Sequence, residues 1–98
     1  MAQHLLTAEA ERDIDLIKTY LIGQGGHRLG QHVLRRVRRA MDFLGSRPDA
    51  GHARRDLTSE PVKFWQVYSY LIIYDPVPRP IHIVRVLHTS RDIEAILR

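Results

Sequence analysis

The side chains best suited to chemistry gather toward the C-terminus: Tyr74, His82, Arg85, His88 and Arg91. A base, an acid and cations that stabilise developing negative charge are the parts of general acid–base catalysis, and these residue types supply all three. Strand alternation works against convergence, because it places His82 and His88 on one face and points Arg85 to the other. His88 has a second use open to it, anchoring the end of a strand through a backbone hydrogen bond. Arg91 is placed to pair with Asp92 or to face a target. Metal ligation is disfavoured: the six histidines are scattered, and His27 and His32 lie about 140° apart on a helix. Neither metal nor cofactor is expected.

These residues need a scaffold, and the stretch IHIVRVLHTSRDIEAIL, Ile81 to Leu97, shows how one is built. Ile81 to Leu87 is β-branched and reads as a strand, followed after His88 by a short helix. Ser90 is placed to cap that helix, with Asp92 and Glu94 near the positive end of its dipole. Earlier in the chain, His4 to Leu6 is a candidate edge strand. Thr7 then caps a helix predicted from about Ala8 to Ile22, with Glu9 and Glu11 in its first turn. Ala10, Ile14, Ile17 and Leu21 share one face, while Leu16 and Tyr20 lie on the roughly opposite side. A helix sandwiched between two neighbours within the domain fits that pattern, and so does a contact surface for another chain.

Gly23, Gly25 and Gly26 are expected to break this helix, and a second runs from about His27 to Leu44, stopped by Gly45 with Pro48 beyond. Its apolar side is Leu29, Val33, Leu34, Val37, Ala40, Met41 and Leu44; Arg28, His32, Arg35, Arg39 and Asp42 lie opposite, with Arg36 and Arg38 at the boundary. A long connection, Gly45 to Pro61, leads to two aromatic and β-branched strands, Val62 to Gln66 and Tyr70 to Asp75, with the bend at Val67 to Ser69. The prolines of DPVPRP, residues 75 to 80, make a stiff loop joining two antiparallel strands. The expected fold is one α+β domain over residues 1–98: a helical hairpin packed on a small antiparallel sheet, with a short C-terminal helix.

Composition narrows the function classes. With 98 residues, 44% hydrophobic and 27% charged, the chain is an ordinary globular domain rather than a disordered one. Cysteine is absent, so disulfide and thiol chemistry are excluded, which fits a cytoplasmic protein. Neither a secretory leader nor a membrane span is indicated. The net charge of +4 is unevenly spread: residues 1–27 carry −2, residues 28–55 carry +6, and the rest balance. Thirteen of the fifteen cations are arginine, the side chain that forks onto carboxylates and phosphates, so an anionic partner is implied. The basic helix face has few acids for i,i+4 pairing and repels itself unless something anionic covers it.

LTAEAERDIDLIKTYL near the N-terminus, the Asp56-Leu57 pair, YSYLIIY at 68–74 and VRVLHTSRDI at 84–93 together resemble the RelE/ParE superfamily of toxin–antitoxin toxins. The likeness spans nearly the whole chain. The ending His-x-x-Arg-Asp, here His88, Arg91 and Asp92, is similar to the ParE or plasmid-stabilisation branch. The bend departs from the usual pattern, which often has a glycine near Tyr68.

The resemblance implies a small toxin encoded beside an acidic antitoxin that wraps and neutralises it. ParE-like members are reported to poison DNA gyrase, whereas RelE-like members cut messenger RNA on the ribosome with a lysine- and arginine-rich site or a C-terminal His-Tyr ending. Here the only lysines are Lys18 and Lys63 and the chain ends in a helix, which favours the gyrase branch. On the RelE-like alternative, RNA cleavage through the 2′-hydroxyl would fall to Tyr74, His82, Arg85, His88 and Arg91; on the gyrase reading His88, Arg91 and Asp92 meet the target. The antitoxin is expected to bury apolar groups near Leu16 and Tyr20 and to bring acids to Arg28, Arg35, Arg36 and Arg39. A plain nucleic-acid-binding module is a third possibility; its signature, aromatic rings interleaved with cations, is missing, since the tyrosines and Trp65 cluster on the strands and the basic helix has only Phe43 near its end.

Overall fold

The computed structural model describes residues 3–98. Its elements are β1 (His4–Leu6), α1 (Ala8–Ser46), β2 (Lys63–Val67), β3 (Tyr70–Asp75), β4 (Ile81–His88) and α2 (Ile93–Leu97). A straight helix of 39 residues would run about 58 Å at 1.5 Å per residue. The molecule measures only 36 × 34 × 21 Å, so α1 must fold back on itself. It does so at Gly26, whose φ of 82° and ψ of −176° leave the helical region. Two limbs result, residues 8–25 and 27–46. Gly23 and Gly25 were expected to share the break but stay within the first limb. The α+β helical hairpin is therefore present, with its turn confined to one residue.

The sheet order is β1-β4-β3-β2. β2, β3 and β4 pair antiparallel, whereas β1 pairs parallel with β4, so the sheet is mixed rather than wholly antiparallel. The hairpin covers one face, where Val33, Leu34, Val37, Met41 and Leu44 from the second limb meet Ile72, Tyr74, Ile81, Ile83 and Val86. The helical period of the second limb thus buries most of the side the sequence predicts, though Leu29, expected on it, is exposed near the turn. On the other face Phe64, Leu71, Ile73 and Leu87 are covered by Ile93 of α2, with Leu57, Val62, Ile96 and Leu97 around them.

Thr7 joins these layers at the start of α1. Its hydroxyl accepts from the Ala10 N–H at 3.1 Å and donates to the Val84 carbonyl at 2.9 Å, while its own N–H reaches the Ile83 carbonyl. The cap that starts the helix therefore also ends the parallel pairing of β1. At the other end of the chain Asp92 caps α2, its carboxylate accepting from the Ala95 N–H. Ser90, the expected cap, instead offers its N–H to Nδ1 of His88 at 3.0 Å. The loop after α1 is fixed rather than loose: His52 pairs with Phe64, and the buried Gly51 lies against Tyr74. No described helix is long and apolar enough to cross a membrane.

Candidate functional site

The five chemically capable residues do not converge. Tyr74 is fully buried; its hydroxyl accepts from the Gly51 N–H at 2.9 Å and donates to the Pro48 carbonyl at 2.8 Å. Burial raises its pKa above the ordinary tyrosine value, and no substrate reaches it. Arg85 is committed to Asp13 by two bonds, Nε to Oδ2 at 2.8 Å and Nη2 to Oδ1 at 2.9 Å, and this partner pushes its pKa up. The expected sharing of one face by His82 and His88 is overturned. Ile73 pairs with Arg85 and Tyr74 with Ile83, which leaves Val84 without a partner on β3. That bulge reverses the alternation along β4. His82 consequently lies on the face opposite the buried Ile81 and Ile83, whereas His88 faces the helices opposite Tyr70. Six steps along the strand also set the two backbone positions roughly 20 Å apart.

What the fold does bring together is a different set. A groove of about 350 Å³ lies between the first limb and the end of β4, lined by Leu16, Ile17, Tyr20, Tyr70, His88 and Arg91, among others. Leu16 and Tyr20 are 61% and 59% exposed, so they do not belong to a sandwiched helix. They form an apolar wall on an open surface. The His88 ring meets Tyr70 edge-on at 5.2 Å, and its Nδ1 is occupied by the Ser90 N–H. Burial, with the nearby Tyr20 second, raises the pKa of Tyr70, so the groove keeps a neutral hydroxyl. Arg91 is exposed at the rim; its backbone N–H, not its guanidinium, ties it to the His88 carbonyl. Asp92 is also exposed, but its carboxylate caps α2 and does not pair with Arg91.

The sequence reading missed Asp13, which organises this groove. It is the one buried charged residue among those described, and besides Arg85 it accepts the Val86 N–H at 3.0 Å. β1 stops pairing at Ile83, so Asp13 takes over the exposed edge of β4 where the strand partner ends. Its position carried a signal: an acid three residues after Ala10 and four before Ile17 falls on the apolar stripe.

The arginines of the second limb, Arg28, Arg35, Arg36, Arg38 and Arg39, are all exposed, and none makes an ion pair among the described residues. Arg36 instead lies over the Tyr68 ring at 5.9 Å, and the Tyr68 hydroxyl is 3.0 Å from Nε2 of His32. Among the described residues no group of three or more His, Asp or Glu side chains could hold a metal ion.

Nothing among curated protein sequences matches the chain. Among solved structures, the chromosomal ParDE TA system from P. aeruginosa is similar, with a TM-score of 0.74 at 15% identity, covering 87% of this chain and 92% of that one. At that identity the likeness speaks to the fold. A family model described as the ParE toxin of the type II toxin–antitoxin system parDE matches residues 5–93. Matched over nearly its whole length, the chain belongs to the ParE toxin family of type II toxin–antitoxin systems.

Proposed function

We propose that this ParE-family chain poisons DNA gyrase by binding rather than by cutting RNA, and that an acidic antitoxin encoded beside it neutralises it by covering the groove at Leu16, Tyr20, His88 and Arg91. The observation carrying this reading is the dispersal of the candidate nuclease groups: Tyr74 is sealed, Arg85 is held by Asp13, and His82 lies across the sheet from His88. Of the five, only His88 and Arg91 share a groove, and Nδ1 of His88 is taken by the Ser90 N–H, so no base, acid and cation from this set act together on one phosphate. A binding toxin needs none of them.

The wall expected to meet an antitoxin, Leu16 and Tyr20, and the groups expected to meet a target, His88 and Arg91, line one groove. Neutralisation then follows from occlusion: an apolar antitoxin segment in the groove excludes the target. Acidic residues of the same segment would reach the unpaired Arg28, Arg35, Arg36 and Arg39, so reversing the charge of Arg35 and Arg39 should weaken antitoxin binding. The deciding experiment pairs a supercoiling assay on purified gyrase with a ribosome-dependent messenger RNA cleavage assay. Inhibition in the first alone supports the proposal; cleavage in the second alone refutes it.

A further inference from the structure

We propose that the strip formed by the second limb of α1 and the edge strand β2 binds single-stranded nucleic acid. Rings and cations that are separate in sequence meet there. Arg36, Arg39 and Phe43 of the limb face Trp65, Gln66 and Tyr68 across a groove of about 420 Å³. Phe43 and Trp65 have ring centroids 5.4 Å apart, and the His52 ring stacks on Trp65 at 6.4 Å with planes 16° apart. At the other end Arg36 covers Tyr68, which continues to His32. Phe43 is 40% and Tyr68 52% exposed, although an isolated domain gains by burying such rings.

The partner's chemistry follows from these two components. The cations face outward with no acid within pairing distance among the described residues, which calls for a polyanion. An acidic peptide would satisfy the arginines but leave the ring faces unused. A duplex would hide its bases from them. A single strand satisfies both, setting phosphates on Arg36 and Arg39 and bases on the exposed rings of Phe43 and Tyr68, on either side of Trp65. The aromatic interleaving absent from the helix sequence is supplied by β2 and the turn after it.

Trp65 is the sole tryptophan, so its fluorescence reports on the strip directly. The purified chain is titrated with fluorescein-labelled oligothymidylate of about twelve nucleotides, within the usual span of a single-strand site. An abasic strand of equal length and a polyglutamate of equal charge are run beside it. The expected results are saturable quenching of Trp65 and a log–log salt slope of about −1.4, as two phosphate contacts on a single strand give. Abasic strand should bind at least about fivefold more weakly, and Phe43→Ala should cost oligothymidylate at least about fivefold, the low end for one lost stacking contact. Arg36→Gln should flatten the slope by about 0.7. The strip shares Arg36 and Arg39 with the surface assigned to the antitoxin, but Phe43 and Trp65 lie outside it, so failure of the ring-dependent results leaves the gyrase reading standing. The proposal is overturned if abasic strand and polyglutamate bind as tightly as oligothymidylate, if folded Phe43→Ala binds unchanged, or if Trp65 shows no saturable response.

Discussion

Replacing Asp13 with alanine tests whether one carboxylate ties the first limb to the edge of β4. Asp13 is 7% and Arg85 23% exposed, so both sit in reduced dielectric. The substitution orphans the buried Val86 N–H, which alone costs about 1–3 kcal/mol. It also strips the guanidinium of its two charged bonds. Breaking a fully buried pair costs about 3–5 kcal/mol, but Arg85 retains an opening to water that lowers its share. Together these give about 3 kcal/mol, a large part of the roughly 5–15 kcal/mol that holds a domain folded. For a chain of this size the melting temperature should fall by roughly 12–24 °C.

Arg85→Ala should cost more, about 4 kcal/mol, because it strands the more deeply buried carboxylate. The double variant should be cheaper than the two losses added, with a coupling of about 2 kcal/mol in a thermodynamic cycle from urea unfolding. A loss below about 1 kcal/mol for Asp13→Ala, or additivity within about 0.5 kcal/mol, would refute the assignment.

Other parts of the fold make sharper or simpler tests. A Cβ at Gly51 would stand 2.5 Å from the Tyr74 hydroxyl and 3.0 Å from the Phe64 carbonyl. Gly51→Ala should therefore displace Tyr74 and cost about 2–4 kcal/mol by overpacking and lost hydrogen bonds, measured by urea unfolding. Tyr70 and Tyr74 both have pKa values raised above the ordinary 10.0 by burial. Their contribution is fully present below about pH 10 and is lost as pH rises through the folded-state values, so stability should fall in alkali and Tyr74→Phe should flatten that fall. At the groove, Arg91→Ala should reduce toxicity in growth assays with less than about 0.5 kcal/mol change in stability, as for other exposed sites. His88→Ala should act mainly on stability through Tyr70 and Ser90; the reverse pattern would revive the nuclease reading.

The sequence made some of these features visible and hid others for identifiable reasons. The second limb was legible because Val33, Leu34, Val37, Met41 and Leu44 keep a helical period and all are buried. The break was blurred because glycine lowers helix propensity without forbidding a helix, so only the positive φ of Gly26 separates it from Gly23 and Gly25. His82 and His88 were misplaced because a bulge at Val84 leaves no mark in a β-branched run. Tyr74 looked available because the groups that seal it, Pro48 and Gly51, lie 26 and 23 residues away. Ser90 and Asp92 are both good caps two residues apart, and packing of Ile93 decides between them. The groove itself was half legible: Leu16, Tyr20, His88 and Arg91 were all singled out, but nothing local put them on one surface.

Tyr68 is where local preference and observed structure disagree most. It is the only non-glycine residue at positive φ among those described, at 52°, and it opens the two-residue turn between Val67 and Tyr70. Such a backbone favours glycine and costs a side chain about 1–2 kcal/mol. In return the tyrosine makes an exposed hydrogen bond with His32 and an exposed cation contact with Arg36, each contributing at most about 1 kcal/mol. The turn has other supports, Gln66 Nε2 to the Tyr68 carbonyl and the Thr89 N–H to the Ser69 carbonyl, both at 2.8 Å. These terms nearly cancel, so the ring contributes little to stability, and strain of this kind is kept where a surface works. Tyr68→Gly should unfold within about 1 kcal/mol of the parent chain, because relief of the strained φ offsets the lost contacts. It should nevertheless weaken oligothymidylate binding by at least about fivefold, the loss of one stacking platform. If Tyr68→Gly instead loses more than about 2 kcal/mol and binds the strand unchanged, Tyr68 is a structural brace between turn and helix, and the ring strip ends at Trp65.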